Sequence, residues 1–297
     1  MTLKSMTLRL EWLTAFRFLI SIILCLPIIL QAQEPASQLN NDPLAERISF
    51  RGQWLQGGLI IGKAPYPATI SLNGSQITQA KSGVFIIGFD RDAKPKAQVT
   101  ITWQDEVFKK QFAVQPKDWQ IQRIEGIAQS IMNPTKANVT RSGQEAVLVR
   151  NARKTLDTNR LDFLVGFQWP LIGPITGDFG RQRVYNGVPG RPHYGVDIAA
   201  PTGTPVISPA PGVVTLVHDN MFYSGGTLII DHGLGLSTTF IHLSEIFVKT
   251  GDSIVAGQEV AAVGASGRAT GPHLDWRINW LTERLDPSLL VGPMPKP

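Results

Sequence analysis

The stretch Gly226–His242, GTLIIDHGLGLSTTFIH, reads as two strands around a glycine turn. Each flank is a short run rich in β-branched residues, and DHGLG between them supplies the turn chemistry. The same texture continues outward on both sides. TPVIS (204–208), GVVTLV (212–217), EVAAVG (259–264) and HLDWRINW (273–280) are further short apolar runs, and glycine and proline are dense from Trp169 onward. Two segments share a cadence, GTPVISPAPGVV (203–214) and GDSIVAGQEVAAVG (251–264). Each places an apolar strand after a glycine turn, then a second turn and a second strand, as a weak internal repeat would. Biotinyl and lipoyl carriers use a similar cadence, but the lysine-bearing hairpin they need is missing. A compact all-β domain over residues 169–290 is therefore expected.

Upstream, residues 44–121 are also strand-like. GGLIIG, ATISLNG, VFIIGF, QVTITW and VFKKQFAV are separated by Gly, Pro or Asn, and Asn73-Gly74 is a type I′ hairpin signal. This predicts a small β-sandwich without histidine, hence without a catalytic role. Residues 122–168 differ. Ser142 and Glu145 have capping-box spacing, and Ala146, Val149, Ala152 and Leu156 recur at helical intervals, which predicts a connecting helix. Residues 33–43 read as a polar linker. The expected architecture is all-β: a small N-terminal β-sandwich, a connecting helix and a C-terminal β domain.

The chain has 297 residues with 28 Lys+Arg against 23 Asp+Glu, a net charge of +5. Hydrophobic content of 43% excludes wholesale disorder, and the single Cys25 excludes a disulfide scaffold and a cysteine metal site. No basic block of the kind that binds nucleic acid is present. Lys4, Arg9 and Arg17 lead into an apolar run from Phe18 to Leu30, which is short of the roughly 20 residues a spanning helix needs. Residues 1–32 therefore read as an export signal cleaved after Ala32, leaving a periplasmic or secreted protein. Membrane attachment follows only if the segment stays uncleaved.

All five histidines lie between His193 and His273, which places the chemistry in the C-terminal domain. His193 and Asp197 stand four apart, so a strand or a helix puts both on one side. His273 and Asp275 stand two apart and share one face of a strand. His242 ends the STTFIH run. Imidazole and carboxylate together suit zinc, which acts as a Lewis acid and activates water when one position is left open. His232 reads as structural, at the start of a glycine turn, and His218 as a loop histidine. Arg268 and Thr270 lie on a glycine-flanked loop before His273, within reach of a substrate. Trp276, by alternation, faces the core.

The segments GDFGRQR, HYGVDIAAPTGTPV, DHGLGLSTTFIHLS, GDSIVAGQ and SGRATGPHLDW together resemble the lysostaphin/LytM-type zinc peptidases, family 23 of the metallopeptidases. The resemblance spans Phe167 to Pro287, and the upstream β-domain and helix look like those of Gram-negative members. It implies an open β-sheet groove of barrel-sandwich-hybrid type, with Zn²⁺ on its floor and the peptide stems of peptidoglycan as substrate. His193 and Asp197 match the first two zinc ligands, and His242 and His273 match the two catalytic histidines that do not bind metal. The third ligand of the family is the second His of an H-x-H motif, a position held here by Asp275. The function implied is a metalloendopeptidase acting in cell-wall remodelling. The same motifs also fit a catalytically degenerate module that binds peptidoglycan or activates an amidase.

Overall fold

The structure, a computed structural model, describes residues 43–125 and 135–296. The expected export signal (1–32) and nearly all of the expected linker (33–43) lie outside these residues. The N-terminal part contributes β1 (Ser49–Gly52), β2 (Leu59–Lys63), β3 (Thr69–Leu72), β4 (Ser75–Ile77), β5 (Val84–Gly88), β6 (Lys96–Trp103) and β7 (Glu106–Ala113). These form two antiparallel sheets, β1-β2-β5 and β4-β3-β6-β7. Asn73 and Gly74 both take positive φ in the hairpin between β3 and β4, as the Asn-Gly signal requires. Ile60, Phe85 and Ile87 of one sheet meet Ile70, Val99 and Ile101 of the other in a shared core. β5 is buried on both faces: Ile86 and Val84 point the other way, into the larger C-terminal core. That double burial explains why VFIIG is apolar throughout instead of alternating.

β8 (Ile121–Ile124) follows, and then α1 (Lys136–Ala152). The helix starts earlier than the capping-box reading placed it. Thr135 is the N-cap and accepts from Asn138 N, while Ser142 lies inside the helix and donates to the Val139 carbonyl. Glu145 is no cap either: its carboxylate accepts Phe222 N at 2.9 and 3.1 Å, and this tethers α1 to the C-terminal part. Leu156 lies beyond the helix, and among its residues only Ala152 is buried.

The remaining strands are β9 (Ile175–Gly177), β10 (Gln182–Tyr185), β11 (Val188–Pro189), β12 (Val196–Ala199), β13 (Pro205–Ile207), β14 (Gly212–Met221), β15 (Gly225–Asp231), β16 (Leu236–Leu243), β17 (Glu245–Ile246), β18 (Ser253–Ile254), β19 (Glu259–Ala262), β20 (His273–Trp280) and β21 (Glu283–Leu285). One large antiparallel sheet runs β18-β14-β15-β16-β20-β12-β9, with β21 beside β20. β15 and β16 are the two strands read from GTLIIDHGLGLSTTFIH. The two repeats of similar cadence interlock: β13 of the first pairs with β19 of the second, and β14 pairs with β18. Trp276, Ile278, Phe240, Ile198 and Leu228 line the core side of the sheet, and alternation leaves the other face to form the site. No helix among the described residues is long and apolar enough to cross a membrane.

Candidate metal centre

Four strands bring one row of residues together on the open face. In antiparallel register Gly177 of β9 faces Asp197 of β12, Asp197 faces Asp275 of β20, and Asp275 faces Ile241 of β16. Like charges placed directly opposite each other are destabilising unless a cation sits among them. His193, just before β12, turns its ring over this row. Its Nε2 lies 3.0 Å from Asp197 Oδ1 and 3.3 Å from Asp275 Oδ2. Its Nδ1 lies 3.1 Å from the Asp178 carbonyl, so Nδ1–H donates there and Nε2 is the ring atom that faces the two carboxylates.

Among the described residues, these three form a group able to hold a metal ion, each offering one ligand atom within 4.8 Å of the others. A tetrahedral ion with ligands at about 2.0–2.2 Å separates its ligand atoms by about 3.3–3.6 Å, close to the spacings found. Asp197 Oδ1 is buried and lacks a well-aligned hydrogen-bond donor, as expected of an oxygen reserved for a cation. The donor set therefore fits a metal.

Two glycines make room for it. A Cβ on Gly177 would come within 2.2 Å of Asp197 Oδ2, and one on Gly195 within 2.2 Å of Asp275 Oδ1. Arg277, two residues after Asp275 and on the same face, grips that carboxylate with both arms of its fork, Nε to Oδ1 at 2.8 Å and Nη2 to Oδ2 at 2.6 Å. Neither the glycines nor Arg277 was singled out from sequence. The i, i+2 spacing of Asp275 and Arg277 was the available signal, since it puts both on one face of β20.

Electrostatics follow from these contacts. Burial alone lowers the His193 pKa, but the adjacent Asp197 and Asp275 carboxylates push it up to about 10 when no metal is bound. Burial works against ionisation of Asp275, yet the charge and fork of Arg277, with His193, hold it well below the usual carboxylate range.

His242 and His273 stand beside the group, with ring centroids 4.9 Å apart. His273 Nε2 is 3.7 Å from Asp197 Oδ1, and its Nδ1 lies 2.8 Å from the Gly271 carbonyl. His242 Nδ1 lies 2.8 Å from the Ser266 carbonyl, and burial lowers its pKa. All three site histidines thus have Nδ1 on a backbone carbonyl, which fixes the ring orientation and turns Nε2 toward the site. His242 also holds a left-handed φ of 66°, stabilised by its N–H on the Ser224 carbonyl.

The other sequence candidates lie elsewhere. His232 is fully buried, its Nδ1 donating to the Pro211 carbonyl at 2.6 Å and its Nε2 accepting from the Thr238 hydroxyl at 2.9 Å. Contrary to the loop reading, His218 is on β14, where its Nδ1 accepts from Asn220 N. Arg268 and Thr270 are exposed, and Arg268 stacks over the Tyr223 ring at 5.4 Å. Trp276 is fully buried and packs edge-on against Trp169.

Comparison with known proteins agrees with this geometry. The chain is 42% identical over 106 residues to the peptidoglycan DD-endopeptidase ShyB of Vibrio cholerae, a match covering 35% of this chain and 24% of that protein. It is 41% identical over 87 residues to ShyA of the same organism, another peptidoglycan DD-endopeptidase, covering 29% and 20%. The chain thus spans about a quarter or less of these relatives' own lengths. A Pseudomonas aeruginosa crystal structure assigned to peptidase M23 superposes with a TM-score of 0.63 at 26% identity, covering 81% of this chain and 96% of that one. The model of peptidase family M23 matches residues 191–287, which hold His193, Asp197, His242, His273 and Asp275. The C-terminal domain of this chain belongs to peptidase family M23.

Proposed function

We propose that this chain is an exported, zinc-dependent endopeptidase that hydrolyses peptide cross-links of peptidoglycan in the periplasm or outside the cell. The observation that carries it is the convergence of His193 Nε2, Asp197 Oδ1 and Asp275 Oδ2 on the open face, with His242 and His273 alongside. The names of the M23 relatives support the substrate class, and the charged, apolar N-terminal segment supports export. When bound, zinc supplies a Lewis acid that polarises the scissile carbonyl and lets water act as a nucleophile near neutral pH.

The chain's own residues supply the rest. His193, Asp197 and Asp275 would hold the ion. His242, neutral because it is buried and donates through Nδ1, offers Nε2 to take a proton from the attacking water. His273 is fixed by the Gly271 carbonyl, and its Nε2 faces the site, where as an imidazolium it would stabilise charge developing on the carbonyl oxygen. The proton that His242 takes from water then passes to the leaving amine.

The test measures zinc content and cleavage of cross-linked muropeptides. One zinc per chain is expected, lost in His193→Ala, with cleavage abolished by a chelator. No zinc binding, together with intact muropeptides in added zinc, would sink this reading. Wall binding that survives both the chelator and His193→Ala would favour a non-catalytic module instead.

A further inference from the structure

Replacing the family's imidazole by the Asp275 carboxylate changes the charge of the centre. A dication held by one histidine and two aspartates is formally neutral, whereas two histidines and one aspartate leave a single positive charge. A more anionic ligand set weakens a Lewis acid and makes its water less acidic. The Arg277 guanidinium lies directly behind the substituted ligand, bonded to both oxygens at 2.8 and 2.6 Å, and Asp275 itself is only 2% exposed. A fork–fork pair on a buried carboxylate draws charge out of it and fixes its plane.

On the zinc reading above, we infer that Asp275 and Arg277 act as one charge-matched unit, in which Arg277 offsets the extra negative charge that Asp275 brings to the metal site. Arg277 is a positioning residue, acting through Asp275. Its charge returns the formal total of ion, ligands and guanidinium to plus one. Its fork turns Oδ2 toward His193 Nε2, and the missing Cβ of Gly195 leaves space for Oδ1. The pair is also local in sequence, two residues apart on one face of β20, so one short segment carries both the altered ligand and its compensation.

The consequence is a coupling between the two positions. Asp275→His restores the family residue but strands a guanidinium beside a neutral ligand. Zinc dissociation constants would be measured by competition with a chromophoric chelator for the wild-type chain, Asp275→His, Arg277→Gln and the double variant. Thermal melts of the metal-free proteins would confirm folding. Asp275→His alone is expected to bind zinc about tenfold or more weakly than wild type, the scale of effects seen around a ligand. The double variant should recover most of that loss. Arg277→Gln alone loses the fork that holds Asp275 in place and should also bind zinc about tenfold more weakly than wild type. Additive effects of the two substitutions on zinc affinity would overturn the inference and mark the guanidinium as a brace independent of the ligand's charge. Absence of zinc binding in the wild-type chain would overturn the zinc reading itself, and this inference with it.

Discussion

Gly195 and Gly177 stand where any side chain would take the space of a ligand carboxylate. Gly195→Ala should push Asp275 Oδ1 off its place and weaken zinc binding about tenfold, with an unchanged far-ultraviolet circular dichroism spectrum. An unaltered zinc affinity would show that the carboxylate has room to spare. His232 makes a second residue-scale prediction. Burial lowers its pKa from 6.5 to about 4, so the folded chain keeps it neutral while the unfolded chain protonates it. A depressed histidine pKa contributes stability that is intact above 6.5 and lost as the pH falls toward about 4. Asp231 works in the opposite direction. Burial raises its pKa to about 6, so its proton favours the folded state below that value and it offsets part of the loss. Comparing wild type with His232→Gln isolates the imidazole. The variant's stability should fall less between pH 6.5 and 4, by about 3 kcal/mol at most, as read from urea titrations at each pH.

At the scale of elements, α1 is held less by an apolar stripe than by two polar anchors, one at mid-helix and one at its C-terminal end. Val147 and Leu148 are exposed, whereas Glu145 receives Phe222 N and the Arg153 Nη2 donates to Thr239 Oγ1 at 2.7 Å. Thr239 pairs with Arg277 across β16 and β20, so Arg153 reaches the row next to the metal centre. Desolvation, aided by the charges of Arg284 and Arg277, lowers its pKa to about 9. Glu145→Ala leaves the Phe222 amide without its acceptor. It should cost about 1 kcal/mol locally and speed amide exchange over residues 136–152, leaving β14–β16 protected. Exchange unchanged in α1 would mean that other contacts hold the helix.

Across the whole molecule, the two β cores are joined. Trp280 packs against both, Gly88 of β5 lies against Leu285 and Trp280, and Lys117 Nζ meets the buried Asp286 carboxylate at 2.8 Å. Arg91, nearly fully buried, donates from Nε to the Gly180 carbonyl at 2.8 Å. Such shared packing predicts one cooperative unfolding transition with coincident fluorescence and circular dichroism curves. Trp280→Ala should lower stability by about 3 kcal/mol and move both curves together. Two separated transitions would show that the lobes unfold independently.

The sequence by itself determined the all-β character, the Asn73-Gly74 hairpin and the strands around DHGLG, because these rest on periods and turns a few residues long. It also placed His193 near Asp197 and His273 near Asp275, since a strand's period of two is local. The start of α1 was misplaced because a mid-helix Ser142 and Glu145 imitate a cap, and only the distant Phe222 amide reveals what Glu145 bonds. Tertiary structure decided how those pairs meet. Antiparallel register between β12 and β20 sets Asp197 opposite Asp275, 78 positions further along the chain. It likewise decided that β5 would serve two cores and that glycines would flank both carboxylates. Register and close approach depend on which strands become neighbours, and no local period encodes that choice. The Asp275–Arg277 fork lies between these limits: its spacing was legible, but the burial that makes its charge matter came only with the fold.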